Sequence, residues 1–289
     1  MHEARAKALA MSSLEGLSIG DAFGQLFFSL QPRPSSWDAL PPGPWAWTDD
    51  THMALSIVET LDRWGEIDQD FLAQASARRF VEDPYRGYAG GAAHLLGRIA
   101  DGEDWRVVSP TLFGSGSYGN GAAMRAAPIG GYFSDDPGRA AEEAQKSAVI
   151  THAHLEGQAG AMAVAAAAAI AAGEPRPTGA EFLQEVLTFV PESMTGLRIQ
   201  QAMKIPPDRF YDAVVELGTG YMISAQDTVP FCLWIAAHHP DDFEGALWRT
   251  VEGEGDVDTT CAIVGGIVAL LARGIPEHLL SRLVPLPLL

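Results

Sequence analysis

The sequence predicts an all-α protein organised as one domain over residues 1–289, and three observations carry that expectation. Apolar residues recur at helical spacing through nearly every segment, no segment sustains the period-two alternation of a half-buried strand, and no internal repeat of fixed period divides the chain. Hydrophobic residues make up 47% of the chain, so a large core can be buried without disulfides or separate small modules.

Residues 3 to 30 place Leu9, Leu14, Leu17, Ile19 and Phe23 at helical spacing and predict one long buried helix. Gly16, Gly20, Ala22 and Gly24 lie within it, small residues that weaken a helix unless a backbone or a ligand must approach closely. Asp21 in their midst has two readings: it points to solvent or a neighbouring helix end, or it belongs to a site. From 31 to 47 the chain is rich in proline and tryptophan, which forbids a helix and predicts a loop lying on the body. Helices are expected over 51 to 64, 68 to 82 and 88 to 100, with the turn Asp83-Pro84-Tyr85-Arg86-Gly87-Tyr88 between the last two. Residues 109 to 121 form a glycine-rich loop, expected to run into a helix starting near Ala122. Further helices are expected over 136 to 150, 155 to 172, 178 to 190, 207 to 217, 227 to 238, 241 to 251 and 258 to 273, and the tail from Val284 to Leu289 cannot be helical because of its prolines. Trp234, His238 and His239 have no partner motif and read as ordinary core or surface residues.

Lys and Arg total 19 against 37 Asp and Glu, a formal charge of −18, which opposes attraction to nucleic-acid backbones and anionic lipid. Cys232 and Cys261 sit in apolar helical runs rather than at metal-ligand spacing, so they read as small core residues in a reducing compartment. The N-terminus lacks the uninterrupted apolar core of a signal peptide, and the apolar run from Ala159 to Ala172 is shorter than the ~20 residues a membrane span needs. A cytoplasmic, monomeric protein with no membrane or nucleic-acid partner is the expectation.

Two stretches carry carboxylate chemistry. Thr48-Asp49-Asp50-Thr51 sets two adjacent carboxylates between hydroxyls where the proline-rich loop gives way to a helix. Gly255-Asp256-Val257-Asp258-Thr259-Thr260 repeats the pattern at a second helix start. Thr or Asp at either place is also what an ordinary helix cap requires. Taken together, four carboxylates and several hydroxyls make an all-oxygen set suited to hard divalent ions such as Mg²⁺ or Mn²⁺. The glycine-rich loop offers backbone amides that suit phosphate, while the absence of a preceding strand excludes the dinucleotide-binding and Walker readings. Thr151-His152-Ala153-His154 joins two helices; histidines at i and i+2 share no helix face, so a zinc pair is disfavoured, but His152 can reach a ligand from the junction.

The ordered set of motifs resembles the ADP-ribosylglycohydrolase family. It comprises Gly20-Asp21-Ala22-Phe23-Gly24, Thr48-Asp49-Asp50-Thr51, the 83–88 turn, Gly116-Ser117-Tyr118-Gly119-Asn120-Gly121-Ala122-Ala123-Met124-Arg125 and Asp256-Val257-Asp258-Thr259, spread over nearly the whole chain. The Arg-Gly-Tyr and Ser-Tyr-Gly-Asn-Gly segments are most similar to the branch acting on serine-linked ADP-ribose. The resemblance implies a compact all-α fold with two Mg²⁺ or Mn²⁺ ions. It assigns Thr48, Asp49, Asp50, Asp256, Asp258 and Thr259 as metal ligands, with Asp258 as the bridge. It also assigns Ser117, Tyr118, Gly119 and Asn120 to the diphosphate and ribose, His152 to a phosphate or ribose contact, and makes Asp21, Phe28 and Tyr88 candidates for substrate contact. Asp49, Asp50 or Asp256 would take the proton of the attacking water.

One position departs from that pattern. Where similar family members carry a glutamate four residues after the second glycine of the first motif, this chain has Phe28, which can neither bind metal nor move a proton. Phe28 is either one more core residue of the first helix or the mark of a changed substrate. Helical spacing from Asp21 and Gly24 favours the second reading. The implied activity is metal-dependent hydrolysis at C1″ of an ADP-ribosyl group. The substrate would be a small derivative whose leaving group needs no protonation, such as ADP-ribose 1″-phosphate or O-acetyl-ADP-ribose. The alternatives are an ADP-ribosyl-protein hydrolase acting at Ser or Arg, and an inactive ADP-ribose-binding relative.

Overall fold

The computed structural model describes residues 2–287, and among them the regular structure is helical, with two isolated β-bridges and no strand. Leu288 and Leu289 of the predicted non-helical tail lie outside the described residues, as does Met1; Val284 to Pro287 is non-helical as expected. The helices are α1 (His2–Leu26), α2 (Asp49–Trp64), α3 (Gln69–Glu82), α4 (Gly90–Ala100), α5 (Trp105–Thr111), α6 (Ala127–Tyr132), α7 (Pro137–Val149) and α8 (Leu155–Ala172). They continue as α9 (Gly179–Leu187), α10 (Met194–Ala202), α11 (Phe210–Leu217), α12 (Ala225–His238), α13 (Phe243–Glu252), α14 (Val257–Leu271) and α15 (Glu277–Leu280).

α1 and α14 approach backbone to backbone, and the glycines of α1 are the reason. A Cβ at Gly20 would lie 2.0 Å from the Cys261 carbonyl oxygen, and one at Gly24 would lie 2.2 Å from that of Val257. No other residue fits there, which accounts for helix-weakening glycines in a buried helix. The contact clamps the first turn of α14, with Asp256 to Thr259, against the C-terminal half of α1. α8 fills the centre. Its 18 residues are long and apolar enough to cross a membrane by length and composition, but 83% of them are buried inside the protein, as in a core helix. Its alanines let α6 come close: a Cβ at Gly130 would be 2.2 Å from the Ala165 carbonyl oxygen.

Several boundaries differ from the sequence expectation. α1 stops at Leu26 instead of 30, because Pro32 disfavours helix before it and Phe27 turns inward. There Phe27 joins Phe23, Trp37 and Trp248 in a cluster of rings packed mostly edge to face, with Phe23 and Trp37 tilted. The proline-rich loop is otherwise irregular apart from a 3₁₀ turn at Trp37–Ala39, and the tail holds it down: Trp45 N–H donates to the Arg282 carbonyl and Val284 N–H to that of Trp45. α5 occupies the start of the segment expected to be glycine-rich loop, with Asp104 as its cap and Pro110 in its last turn. The helix expected near Ala122 is a 3₁₀ turn, Asn120–Ala122, because Pro128 starts a new helix, α6. α10 and α15 were not legible in the sequence. Cys232 and Cys261 are buried free thiols, and Trp234 is a core residue whose indole N–H donates to the Ile205 carbonyl.

Candidate active site

A cavity of about 530 Å³ opens where α2, the 83–88 turn, the glycine-rich loop, the 151–154 junction and the start of α14 meet. It is lined by Asp49, Asp50, Tyr88, Ser117, Tyr118, Gly119, Asn120, His152, Asp256, Asp258 and Thr259, so most of the sequence-predicted set comes together in one place. Thr48, Asp21 and Phe28 are not among the lining residues.

The acidic end is built on two helix starts. Thr48 caps α2: its hydroxyl accepts from Asp50 N–H (3.4 Å) and donates to Asp50 Oδ2 (3.1 Å). Asp21 lies behind it. Asp21 Oδ2 accepts from Thr48 N–H (2.8 Å), Thr51 N–H (3.1 Å) and the Thr51 hydroxyl (2.5 Å). A fully buried carboxylate at the positive end of α2 is favourable on both hydrogen-bond and dipole grounds. Asp21 therefore caps a neighbouring helix end, reached across from α1, and does not itself line the cavity. Asp49 N–H donates to the Arg86 carbonyl (2.7 Å), and the Arg86 guanidinium lies 3.8 Å from the centre of the Trp47 ring, which fixes the 83–88 turn against the cavity. Tyr88 from that turn lines the cavity, and its hydroxyl is hydrogen-bonded to His52 Nδ1 at 2.9 Å.

On the α14 side, Asp256 Oδ2 accepts from Asn120 Nδ2 (2.7 Å), and Asp258 Oδ1 accepts from Thr259 N–H (2.8 Å). Asn120 Nδ2 also reaches the Thr228 hydroxyl at 3.1 Å, so its amide is committed to holding Asp256. All these aspartates have their carboxyl pKa pushed up. Burial is the largest cause throughout; the next is the charge of Asp21 for Asp49, of Asp258 for Asp50, and of Asp256 for Asp258. Among the described residues, Asp50 Oδ1 and Asp21 Oδ1 are buried without a hydrogen-bond partner.

Buried carboxylates repelling one another, with an oxygen left unpaired, fit a divalent cation, since Asp and Thr oxygens are the donors that hard ions select. Among the described residues, no three Asp, Glu, His or Cys side chains converge into a ready-made cage, so the donor set is present in an open arrangement. Thr48 reaches this end through its hydrogen bonds with Asp50.

The opposite end is the glycine-rich loop. Gly119 N–H donates to the Ser117 hydroxyl (3.1 Å), and Ala225 N–H to the Tyr118 carbonyl (3.0 Å), so part of the expected anion cradle is used within the fold. Tyr118 is 49% exposed at the cavity wall, its ring edge-on to His154 at 5.5 Å. The glycines make room for His152: a Cβ at Gly119 would sit 3.3 Å from its Nε2, and one at Gly121 3.0 Å from its Cε1. Burial, and then the charge of Arg125, push the His152 pKa down to about 3, so the ring is neutral.

Phe28 differs most from expectation. It follows the end of α1, is 53% exposed and does not line the cavity, so it is neither a core residue nor a wall of the site. The helical spacing that placed it beside Asp21 fails because the helix has already ended. Arg125, Thr151, Met53 and Ile223 line the cavity and had no assigned role in the sequence. Only Arg125 gave a signal, as a lone cation in the apolar run from Ala122 to Ala127, where a charge must find buried partners.

A sequence model described as ADP-ribosylglycohydrolase matches residues 2–285. An uncharacterized protein of Archaeoglobus fulgidus is 30% identical over 93% of this chain and 89% of its own length. The ADP-ribosylhydrolase ARH3 of Xenopus tropicalis is 32% identical over 76% of this chain and 72% of its own length, and the human ADP-ribosylhydrolase ARH3 is 26% identical over 83% and 74%. A solved structure titled ADP-ribosylglycohydrolase-related protein complex superposes with a TM-score of 0.71 at 23% identity, over 97% of this chain and 94% of that one, which is a likeness of fold.

Proposed function

The chain belongs to the ADP-ribosylglycohydrolase family, and on that premise we propose that it hydrolyses the bond at C1″ of an ADP-ribosyl group with the help of Mg²⁺ or Mn²⁺. The observation that carries the reading is a single cavity, of a size that takes a nucleotide-like ligand, in which paired aspartates from two helix starts face a glycine-rich loop and a neutral histidine. Thr48, Asp49, Asp50, Asp256, Asp258 and Thr259 would hold two ions, with Asp258 as the shared ligand. Bound there, the ions would supply a positive field for the ribosyl oxygens and for charge developing in the transition state.

The remaining steps belong to the chain's own residues. Ser117, Tyr118, Gly119 and His152 bind the diphosphate and its ribose, and the hydrogen bonds of Asn120 keep Asp256 turned to the cavity. The oxygen of a water bonds to C1″ while the bond from C1″ to the leaving oxygen breaks with its electron pair. The water's proton passes to Asp49, Asp50 or Asp256.

No glutamate is among the lining residues, and Phe28 lies outside the cavity, so beyond the aspartates no acid stands ready to protonate an alkoxide leaving group. A leaving group that departs as a stable anion fits best, as in ADP-ribose 1″-phosphate or O-acetyl-ADP-ribose. The second reading, release of ADP-ribose from a modified serine, is favoured by the Arg-Gly-Tyr and Ser-Tyr-Gly-Asn-Gly segments, and relatives that carry the name ADP-ribosylhydrolase ARH3 are consistent with it. Incubation with both substrate classes, with Mg²⁺, Mn²⁺ or chelator and detection by mass spectrometry, separates them. Faster turnover of ADP-ribose 1″-phosphate than of an ADP-ribosyl-serine peptide supports the first; the reverse order overturns it. Tight ADP-ribose binding with no turnover of either would make the chain a binding protein.

A further inference from the structure

Arg125 lines the cavity yet is only 1% exposed; among the described residues no carboxylate forms an ion pair with it, and its Nε has no hydrogen-bond partner. Its guanidinium donates to the Ser147 carbonyl (2.9 Å), the Gly121 carbonyl (3.3 Å) and the Thr151 hydroxyl (2.8 Å). Burial lowers its pKa to about 10, so it remains a cation at neutral pH. The Thr151 oxygen lies 2.8 Å from His152 Nδ1, which completes a chain of three side chains from the buried cation to the ring at the cavity wall.

The direction of that chain follows from counting donors. A guanidinium can only donate, so the Thr151 oxygen accepts from Arg125. The hydroxyl has one hydrogen of its own, and within the fold His152 Nδ1 is its partner. Were Nδ1 protonated instead, it would donate to Thr151 and leave a buried hydroxyl hydrogen without an acceptor, which is costly. We propose that Arg125 and Thr151 act as positioning residues that fix His152 as the Nε2–H tautomer, making it an obligate hydrogen-bond donor toward the ligand.

The second ring nitrogen points where a donor is useful. Nε2 lies beside Gly119 and Gly121, with no protein acceptor among the described residues, and any side chain larger than glycine at either position would crowd it. Those glycines and Thr151 are uncharged, and Arg125 is the charge that acts on the ring. This end of the cavity therefore accepts a ligand group with lone pairs, such as a phosphate or hydroxyl oxygen. It disfavours an ammonium or other pure donor, which would leave Nε2–H facing another hydrogen.

The test uses the full chain labelled with ¹⁵N-histidine, with the His152 signals identified by their loss in His152→Gln. Long-range ¹H–¹⁵N spectra are expected to show an unprotonated Nδ1 and a protonated Nε2 at pH 7, unchanged down to pH 5.5. A protonated Nδ1 in the wild-type protein overturns the proposal, whatever the variants do. Thr151→Val should yield a mixture of tautomers and weaken ADP-ribose binding about tenfold, the scale of one lost hydrogen bond to a buried group, while Thr151→Ser restores both. Weakened binding in Thr151→Val with the tautomer unchanged would reduce Thr151 to a packing role and also overturn it. The affinity arm rests on the cavity being an ADP-ribose site, but the tautomer arm needs no ligand. Failure of ADP-ribose to bind the wild-type protein, with the tautomer as expected, would therefore count against the proposed function and not against this inference.

Discussion

The two ends of the cavity meet the same problem, buried polar groups, in opposite ways. At the glycine-loop end the groups mostly pair with one another: Arg125 donates to Thr151, Thr151 adjoins His152, and Ser117 accepts from Gly119, while Arg125 Nε is left without a partner among the described residues. At the aspartate end burial raises the pKa of Asp49, Asp50, Asp256 and Asp258, neighbouring carboxylates raise Asp49, Asp50 and Asp258 further, and among the described residues Asp50 Oδ1 has no hydrogen-bond partner. One end is organised before any ligand arrives, and the other is arranged so that a cation relieves it. Under the proposed function, recognition falls to the loop and charge-dependent chemistry to the aspartates. α1 serves the acidic end from behind, capping α2 through Asp21 and seating the first turn of α14 on Gly20 and Gly24.

The most severe way to break the contrast is Asp258→Asn. Loss of the shared ligand should lower turnover roughly 1,000-fold, equivalent to ~4 kcal/mol of transition-state stabilisation, and abolish the rise in Tm on adding Mg²⁺. Its Tm without metal should not fall, since an amide oxygen can still accept from Thr259 N–H and the side chain no longer has a charged form for burial to oppose. Scanning fluorimetry with and without Mg²⁺, alongside steady-state rates, measures both; a preserved Mg²⁺ response would remove Asp258 as the bridge.

At the loop end the effect should fall on binding. Tyr118→Ala should raise the Kd for ADP-ribose by one to two orders of magnitude, since stacking on a sugar or base is worth ~1–3 kcal/mol. The same variant should leave kcat at saturation nearly intact. A fall in kcat at constant KM would show that this end takes part in the chemical step.

His152 provides a pH test of the preorganised end. A base whose pKa falls from 6.5 to about 3 on folding is neutral in the native state and takes up a proton on unfolding below pH 6.5. Its contribution to stability is present above pH 6.5 and is lost as pH falls toward 3. His152→Gln should therefore lose less stability than wild type between pH 7 and pH 5, by about 2 kcal/mol, as read from urea unfolding at each pH. Equal losses would mean that His152 titrates normally in the fold.

The smallest expected effect is that of Phe28→Glu. An exposed position beyond the end of α1 takes a carboxylate without cost, so Tm should stay within a few degrees and turnover of any substrate within about twofold. A large gain on serine-linked ADP-ribose would show that the segment after α1 reaches the cavity during catalysis.

The sequence made the acidic end legible because its signals are local: a helix cap and the carboxylates beside it are neighbours in the chain, at Thr48 to Asp50 and at Asp256 to Thr259. The glycine loop was visible for the same reason, although its glycines make room for His152, more than thirty residues away, in addition to lining the cavity. Long-range polar pairing was not visible. Asp21 serves as the cap of α2 across 27 residues and Arg125 reaches Thr151 across 26, and neither partner can be inferred from spacing. Phe28 was misplaced because a period carried past the end of its helix assigns faces that no longer exist. Pro32, four residues on, was the available warning.

The central claim, that the aspartates are completed by divalent cations, is tested most directly by titrating Mn²⁺ into the protein and counting bound ions by electron paramagnetic resonance of the free ion. Two ions per chain at micromolar to low millimolar Mn²⁺, both lost in Asp258→Asn, are predicted. Wild-type protein that leaves all Mn²⁺ free over that range, in the absence and presence of ADP-ribose, would contradict the account.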